Sequence, residues 1–235
     1  MPEKVSSGSP VINVLLDGGF EKDVITTIYG PAGSGKTNIC LFCTIEVTKN
    51  GKKVIFIDTE GGFSVKRLEQ ISKNYKDVLK NMIFLRPTKF SEQKKAFSKL
   101  KSLAETKKVG LIIVDSIAML YRLELGTTKE VYEINRELGK QIASLLEIAR
   151  KMNIPILVTN QVYANFDERN KVNMVGGDIL KYGSKCLIEL QLTPDNKRRA
   201  ILQKHRSLPE KKEVTFEITQ TALLSAHAKR SFKLF

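Results

Sequence analysis

Apolar residues follow two rhythms along this chain. Five short runs read as strands: residues 25–29, β-branched, then 53–58, 81–86, 109–115 and 154–160. The nearly continuous apolar run at 109–115, and 154–160 after it, predict strands buried on both faces of a parallel sheet. Between them apolar positions recur at helical spacing. Residues 64–74 read as one helix and 129–152 as a long amphipathic one. Residues 91–107 read as a helix opened by Ser91 as N-cap with Glu92 in its first turn, and Phe97, Leu100 and Leu103 form one stripe of an otherwise cationic surface. Ahead of all this, residues 5–20 read as a turn-rich lead and a short apolar helix ending at Gly18-Gly19.

After residue 160 the alternation of strand and helix stops. Residues 185–192, 199–204 and 213–219 alternate with period two, and Pro194-Asp195-Asn196 marks a turn between the first two. The pattern predicts an α/β fold with a mostly parallel central sheet, helices on both faces and an antiparallel C-terminal edge. There is no internal repeat and no long linker, so one domain over 1–235 is expected, with a lead-in to about residue 20 and antiparallel strands at about 185–220.

The junction between the first apolar run and the helix after it carries the chemistry. Gly30-Pro31-Ala32-Gly33-Ser34-Gly35-Lys36-Thr37 matches G-x-x-x-x-G-K-[ST]. The glycines let several backbone N–H groups converge on one concavity, and the helix starting near Lys36 adds the positive end of its dipole. Lys36 suits the β- and γ-phosphates, and the Thr37 hydroxyl suits Mg²⁺. The spacing implies a nucleoside triphosphate site.

Hydrolysis would need more. Asp115 closes the apolar run LIIVD, at the edge where a parallel sheet presents ligand-facing residues, the position of a magnesium-orienting carboxylate. Glu60, in Asp58-Thr59-Glu60-Gly61-Gly62, stands where a carboxylate can orient or deprotonate water. The lesser alternative is an exposed loop carboxylate. Gln161 follows a third strand tip, where an amide could report loss of the γ-phosphate to a mobile segment at 162–175, or merely brace the loop.

Charge changes the picture further. Lys and Arg number 39 against 25 Asp and Glu, a net +14. That excess favours a polyanion, with nucleic acid the first candidate, although solvated charge on every face reads as well. Candidate contacts are Arg122, Lys129 and Arg136, then Arg169, Lys171, Lys181 and Lys185, then Lys197, Arg198 and Arg199, all expected on connections following strand tips. Cys40-x-x-Cys43 invites a zinc or redox reading, but no second pair follows and buried small hydrophobes fit better. No run approaches the ~20 apolar residues of a membrane helix, so a cytoplasmic, nucleoid-associated protein is expected.

GPAGSGKT, DTEGGF, LIIVDS, ILVTNQV and VGGDILKYGS occur here in the order and spacing of the RecA/RadA recombinase ATPase core, which the chain resembles from Val5 to about Thr221. The resemblance is strongest to the short archaeal branch of that family. It implies a RecA-like P-loop fold, ATP and Mg²⁺ as cofactors, and roles for particular residues. Residues 30–38, Asn38 included, would hold the nucleotide, Thr37 and Asp115 the metal, Lys36, Glu60 and Gln161 would serve catalysis, and Arg67 would pack against the adenine or simply be solvated. The segment matching 203–210 caps a neighbour's ATP in filaments. Lys204 and Arg206, on one face of a strand, could then reach a γ-phosphate across an interface, or lie solvated.

Departures matter as well. No N-terminal helical DNA-binding domain and no Phe-x-x-Ala polymerisation peptide occurs. Leu125 and Thr128 stand in the first DNA loop where recombinases carry an aromatic and an arginine, and a short second loop at 163–175 holds Asp167 and Glu168. The resemblance therefore implies a DNA-repair ATPase of low activity that assists or regulates the RadA recombinase. A DNA-stimulated strand-exchange recombinase and a nucleotide-gated interaction module remain alternatives.

Overall fold

The computed structural model describes residues 3–125, 131–164 and 172–226. The first elements are β1 (Lys4–Val5), α1 (Pro10–Leu16), β2 (Phe20–Glu21), β3 (Ile25–Tyr29), α2 (Lys36–Lys49), β4 (Lys53–Asp58), α3 (Val65–Ile71), α4 (Tyr75–Lys80), β5 (Met82–Leu85) and α5 (Phe90–Thr106). Next come β6 (Val109–Asp115), α6 (Met119–Leu125), α7 (Val131–Met152), β7 (Ile156–Asn160), β8 (Val162–Ala164) and β9 (Val172–Met174). The chain continues through α8 (Gly177–Gly183), β10 (Cys186–Leu192), β11 (Arg198–Lys204), β12 (Glu213–Ile218) and β13 (Leu223–Ser225).

The five apolar runs are β3 to β7. They lie in a nine-stranded sheet of order β13-β12-β11-β10-β3-β7-β6-β4-β5. Strands from β10 to β5 are parallel, while β11, β12 and β13 pair antiparallel at one side. Successive side chains of a strand face opposite ways, and that sorts the core into two layers. Ile28, Phe56, Ile113 and Leu157 pack beneath α1 to α4, whereas Ile25, Ile57, Val114 and Val158 pack beneath α5 to α8. Ala200, Leu202 and Phe216 extend the first layer under the antiparallel strands. Cys40, Cys43 and Cys186 are free, buried thiols, and burial pushes each of them up.

Two local expectations need correction. The helix expected over 64–74 ends at Ile71 and restarts as α4, with Ser64 capping α3 by accepting from the Arg67 N–H at 3.2 Å. Ser91 is not the N-cap of α5; the helix starts at Phe90, and Glu92 reaches back to the Thr88 N–H at 2.8 Å. A carboxylate returning to an N-terminal amide satisfies a donor that the helix leaves free, which a serine-first reading overlooks. Within the segment 162–175, β8 pairs antiparallel with β9, and residues 165–171 lie outside the described residues.

Candidate nucleotide site

The strand register sets the site. Asp58 lies level with Asp115, and Tyr29 with Asn160, so the tips of β4, β6, β3 and β7 finish together at one edge of the sheet. The phosphate loop leaves β3 there. Gly30 is crowded by the backbone of β10: a Cβ would sit 2.3 Å from the Leu190 carbonyl oxygen. Gly35, at φ 102°, would place a Cβ 2.7 Å from Ile218 Cδ1. Gly30 therefore requires glycine for space, and Gly35 for its left-handed backbone, since the end of the Ile218 side chain can shift.

A cavity of about 200 Å³ opens above the loop, lined by Ala32, Gly33, Gly35, Lys36, Thr37, Asn38, Glu60, Asp115 and Gln161. Lys36 Nζ donates to the carbonyls of Gly30 and Pro31, each at 2.9 Å. Thr37 Oγ1 donates to Asp115 Oδ2 at 2.7 Å, and Thr159 Oγ1 donates to the other Asp115 oxygen. Glu60 faces these groups from the β4 side, and Gln161 Nε2 donates to both of its carboxylate oxygens at 3.1 Å. Sequence had placed Lys36, Thr37, Asp115, Glu60 and Gln161 on separate segments; the fold gathers them around one cleft. Pro31 and Ser34 complete the loop, and the Ser34 hydroxyl is buried without a partner.

Electrostatics follow from burial. Desolvation holds Lys36 below the ordinary lysine range, with Glu60 and Asp115 opposing it. Desolvation also raises the Asp115 carboxyl; the Thr159 and Thr37 hydrogen bonds work against the rise, and Glu60 and Asp58 add to it. An anion beside Lys36 and a cation beside Asp115 would relieve both. Among the described residues no group of three His, Cys, Asp or Glu could hold a metal by itself. A magnesium–nucleotide site does not need one, because phosphates and water supply most ligands. Thr37 and Asp115 offer hard oxygens side by side, the orphan Ser34 hydroxyl points to a missing polar ligand, and the residues present fit Mg²⁺ with a triphosphate.

The walls were less legible. Asp58, 5% exposed, accepts the N–H groups of Gly61 at 2.8 Å, Gly62 at 3.2 Å and Phe63 at 3.2 Å, clamping the turn that carries Glu60. Aspartate ahead of a Gly-Gly turn was a usable signal for this clamp. Thr59 Oγ1 donates to the Ser116 carbonyl at 2.7 Å and joins that turn to the end of β6. Arg67 donates to Asn38 Oδ1 at 2.7 Å and to the carbonyls of Gln220 and Thr219 at 2.8 and 3.0 Å. The β12–β13 turn is thus tied through Arg67 to Asn38 in the cleft wall, which no local pattern announced.

The family model described as Rad51 matches residues 3–226, a span that holds every described residue and all of the groups above. The chain belongs to the Rad51 family. Curated relatives include the DNA repair and recombination protein RadB of Methanococcus maripaludis (strain C7 / ATCC BAA-1331), 45% identical over 91% of this chain and 97% of its own length. The protein of the same name from Methanobrevibacter smithii is 40% identical over 94% of this chain and 95% of its own. A solved structure described as the RadB recombinase superposes with a TM-score of 0.77 at 36% identity, covering 93% of this chain and 98% of that one. The RecA-like fold expected from the motifs is the fold observed.

Within this Rad51-family fold the basic candidates separate. Arg122 is exposed near the cleft edge, Arg136 pairs with Glu133 at 2.8 Å, and Lys129, Arg169 and Lys171 lie outside the described residues, as do Thr128, Asp167 and Glu168. Lys185 is not at the nucleotide edge: its N–H donates to the Ile25 carbonyl at 3.1 Å, where β3 begins. Helix α8 runs down the sheet and carries the chain to the opposite edge before β10, so sequence proximity to the second loop misleads. Lys204 and Arg206 do not share a strand face either, because β11 ends at Lys204. Lys204 donates to the Lys181 and Ser184 carbonyls at 2.6 and 2.9 Å. Arg206 meets Glu21 at 2.6 Å and Asp23 at 2.9 Å.

Proposed function

We propose that this chain is an ATP- and DNA-binding protein of DNA repair and recombination. On this reading it is a weak Mg²⁺-dependent ATPase that assists or regulates the RadA recombinase and does not exchange strands itself. The observation carrying the reading is the convergence of Lys36, Thr37, Asp115, Glu60 and Gln161 on one cleft. Family membership and the printed names of the relatives support the setting.

In this scheme the loop amides and Lys36 bind the β- and γ-phosphates, with residues 30–38 and Arg67 enclosing the nucleotide. Thr37 and Asp115 would hold Mg²⁺, which supplies neutralisation of phosphate charge when bound. Glu60 orients the attacking water and accepts its proton as the bond to the γ-phosphorus forms and ADP leaves. Gln161 exchanges its Glu60 partner for the γ-phosphate. Its backbone carbonyl accepts from the Val175 N–H at 3.4 Å, and Asn160 Nδ2 donates to the Val175 carbonyl at 2.7 Å, so that exchange would be felt by the β8–β9 hairpin. DNA would lie near Arg122 and the loops beside it, with phosphate contacts from Lys129, Arg169 and Lys171, while Lys185 would meet a neighbouring copy or a second stretch of DNA.

The test is ATP turnover and DNA binding by the parent, Lys36→Ala and Glu60→Gln, with and without Mg²⁺ and single-stranded DNA. Loss of ATP binding in Lys36→Ala, and retained binding without turnover in Glu60→Gln, are expected. A parent protein that takes up no ATP in the presence of Mg²⁺ refutes the reading.

A further inference from the structure

Three consecutive basic residues, Lys197 to Arg199, straddle the start of β11, and two are neutralised where they stand. Lys197 Nζ meets Asp195 at 2.5 Å. Arg199 donates twice to Gln191 Oε1 and lies 3.8 Å from Glu213. Arg198 has no carboxylate partner among the described residues. It alternates with Arg199, so it faces the other side of the sheet, sharing that side with Ala200 and Leu202 beneath α1 and α2.

That side is where the phosphate loop lies. Arg198 Nη2 stands 3.5 Å from the Gly33 carbonyl, at the outer limit of a hydrogen bond, and Gly33 lines the nucleotide cleft. Nη1 is anchored on the Asn196 carbonyl at 2.5 Å. Nε is buried and has no acceptor. The Nη atoms reach solvent, but the Nε–H is desolvated and unpaired, and a buried donor without a partner is costly to hold. An incoming anion removes that cost. The Ser34 hydroxyl, next in the loop, is orphaned in the same way.

We propose that Arg198 is a phosphate-binding residue acting in cis, its guanidinium moving from the weak Gly33 contact onto the terminal phosphate of a nucleoside triphosphate held by the same chain. The proposal rests on the nucleotide reading of the cleft and adds to it a cation that lies 162 positions along the chain from Lys36. The planar fork of arginine suits two phosphate oxygens at once. Lys204 and Arg206 are already committed to partners at the far end of the sheet, so the second cation of the site comes from the chain's own antiparallel edge. Because the contact is to the last phosphate, Arg198 sets preference for triphosphate over diphosphate.

The experiment is equilibrium binding of fluorescent ATP and ADP analogues, with Mg²⁺, to the parent, Arg198→Ala, Arg198→Gln and Arg198→Lys. Losing one charge-assisted phosphate contact should weaken triphosphate binding about 10-fold or more in the Ala and Gln variants, and diphosphate binding far less. The Lys variant should recover part of the difference. An unchanged triphosphate-to-diphosphate ratio in both Ala and Gln variants, with the parent binding normally, overturns the role of Arg198 and leaves the nucleotide site standing. A parent that binds neither analogue overturns both. Mixing Arg198→Ala with Lys36→Ala chains should restore no triphosphate binding above the sum of the two; restoration overturns the assignment in cis.

Discussion

Replacing Asp58 by asparagine tests how the fold holds Glu60 in place. The Asp58 carboxylate is 5% exposed and accepts three backbone N–H groups from residues 61–63 at 2.8 to 3.2 Å. Asparagine keeps the shape and one acceptor oxygen, enough for Gly61 and Gly62. Its amide NH₂ then faces the Phe63 N–H, donor against donor. Two charge-assisted bonds become neutral ones and one part-buried donor is left unpaired, about 2–3 kcal/mol in all. In a chain of this size that lowers Tm by about 5–10 °C. Thermal and urea denaturation of Asp58→Asn against the parent measure it, with Glu60→Gln as control, since Glu60 is exposed and its amide should leave Tm unchanged. ATP turnover in Asp58→Asn should fall even when assayed well below its melting range, because the turn holding Glu60 is loosened. A Tm within about 1 °C of the parent, with normal turnover, refutes the clamp.

Gly35→Ala should weaken nucleotide binding while the chain still folds, because φ is 102° and an L side chain strains the phosphate loop there; calorimetry with ATP and Mg²⁺ decides it. Arg206→Ala should destabilise the protein by about 2–4 kcal/mol, since it leaves the Glu21 carboxylate, 2% exposed, without its 2.6 Å partner; urea denaturation unchanged from the parent would contradict this. His205 should make stability sensitive to acid. Burial, reinforced by Lys4, Arg206 and Lys212 and opposed by Glu21, depresses its pKa, and its Nδ1 accepts the N–H groups of Ser207 and Leu208 at 3.1 Å each. A depressed histidine stabilises the fold fully above the unfolded value of about 6.5, and the contribution is lost as pH falls below it. Denaturation midpoints between pH 7.5 and 5.5 should therefore fall in the parent and fall less in His205→Gln.

Much of this molecule was written locally. The five apolar runs became the parallel strands β3 to β7, because a strand covered on both faces needs no polar alternation. The loop from Gly30 to Thr37 became a phosphate cradle, because its glycines, lysine and hydroxyl serve neighbouring atoms of one ligand. Asp115, Glu60 and Gln161 could be placed at strand tips by counting from the ends of those runs. Local reading failed where an interaction spans the chain. The Ser91 cap and the 64–74 helix went wrong within a turn or two, through competing caps and a helix break.

Larger errors came from topology. Lys185 follows the second loop in sequence yet sits at the opposite edge, because α8 carries the chain down the sheet. Arg206 lay open to a neighbour in the sequence, but β2 brings Glu21 and Asp23 against it from 183 or more positions away. Sequence by itself determined which segments could be strands, where a triphosphate could sit and which side chains have the chemistry to act on it. Only the tertiary structure decided which charges are already satisfied and which wait for a ligand. Compensation of a buried charge depends on distance in space, and β11, β12 and the β12–β13 turn, distant in sequence, are what close around the phosphate loop.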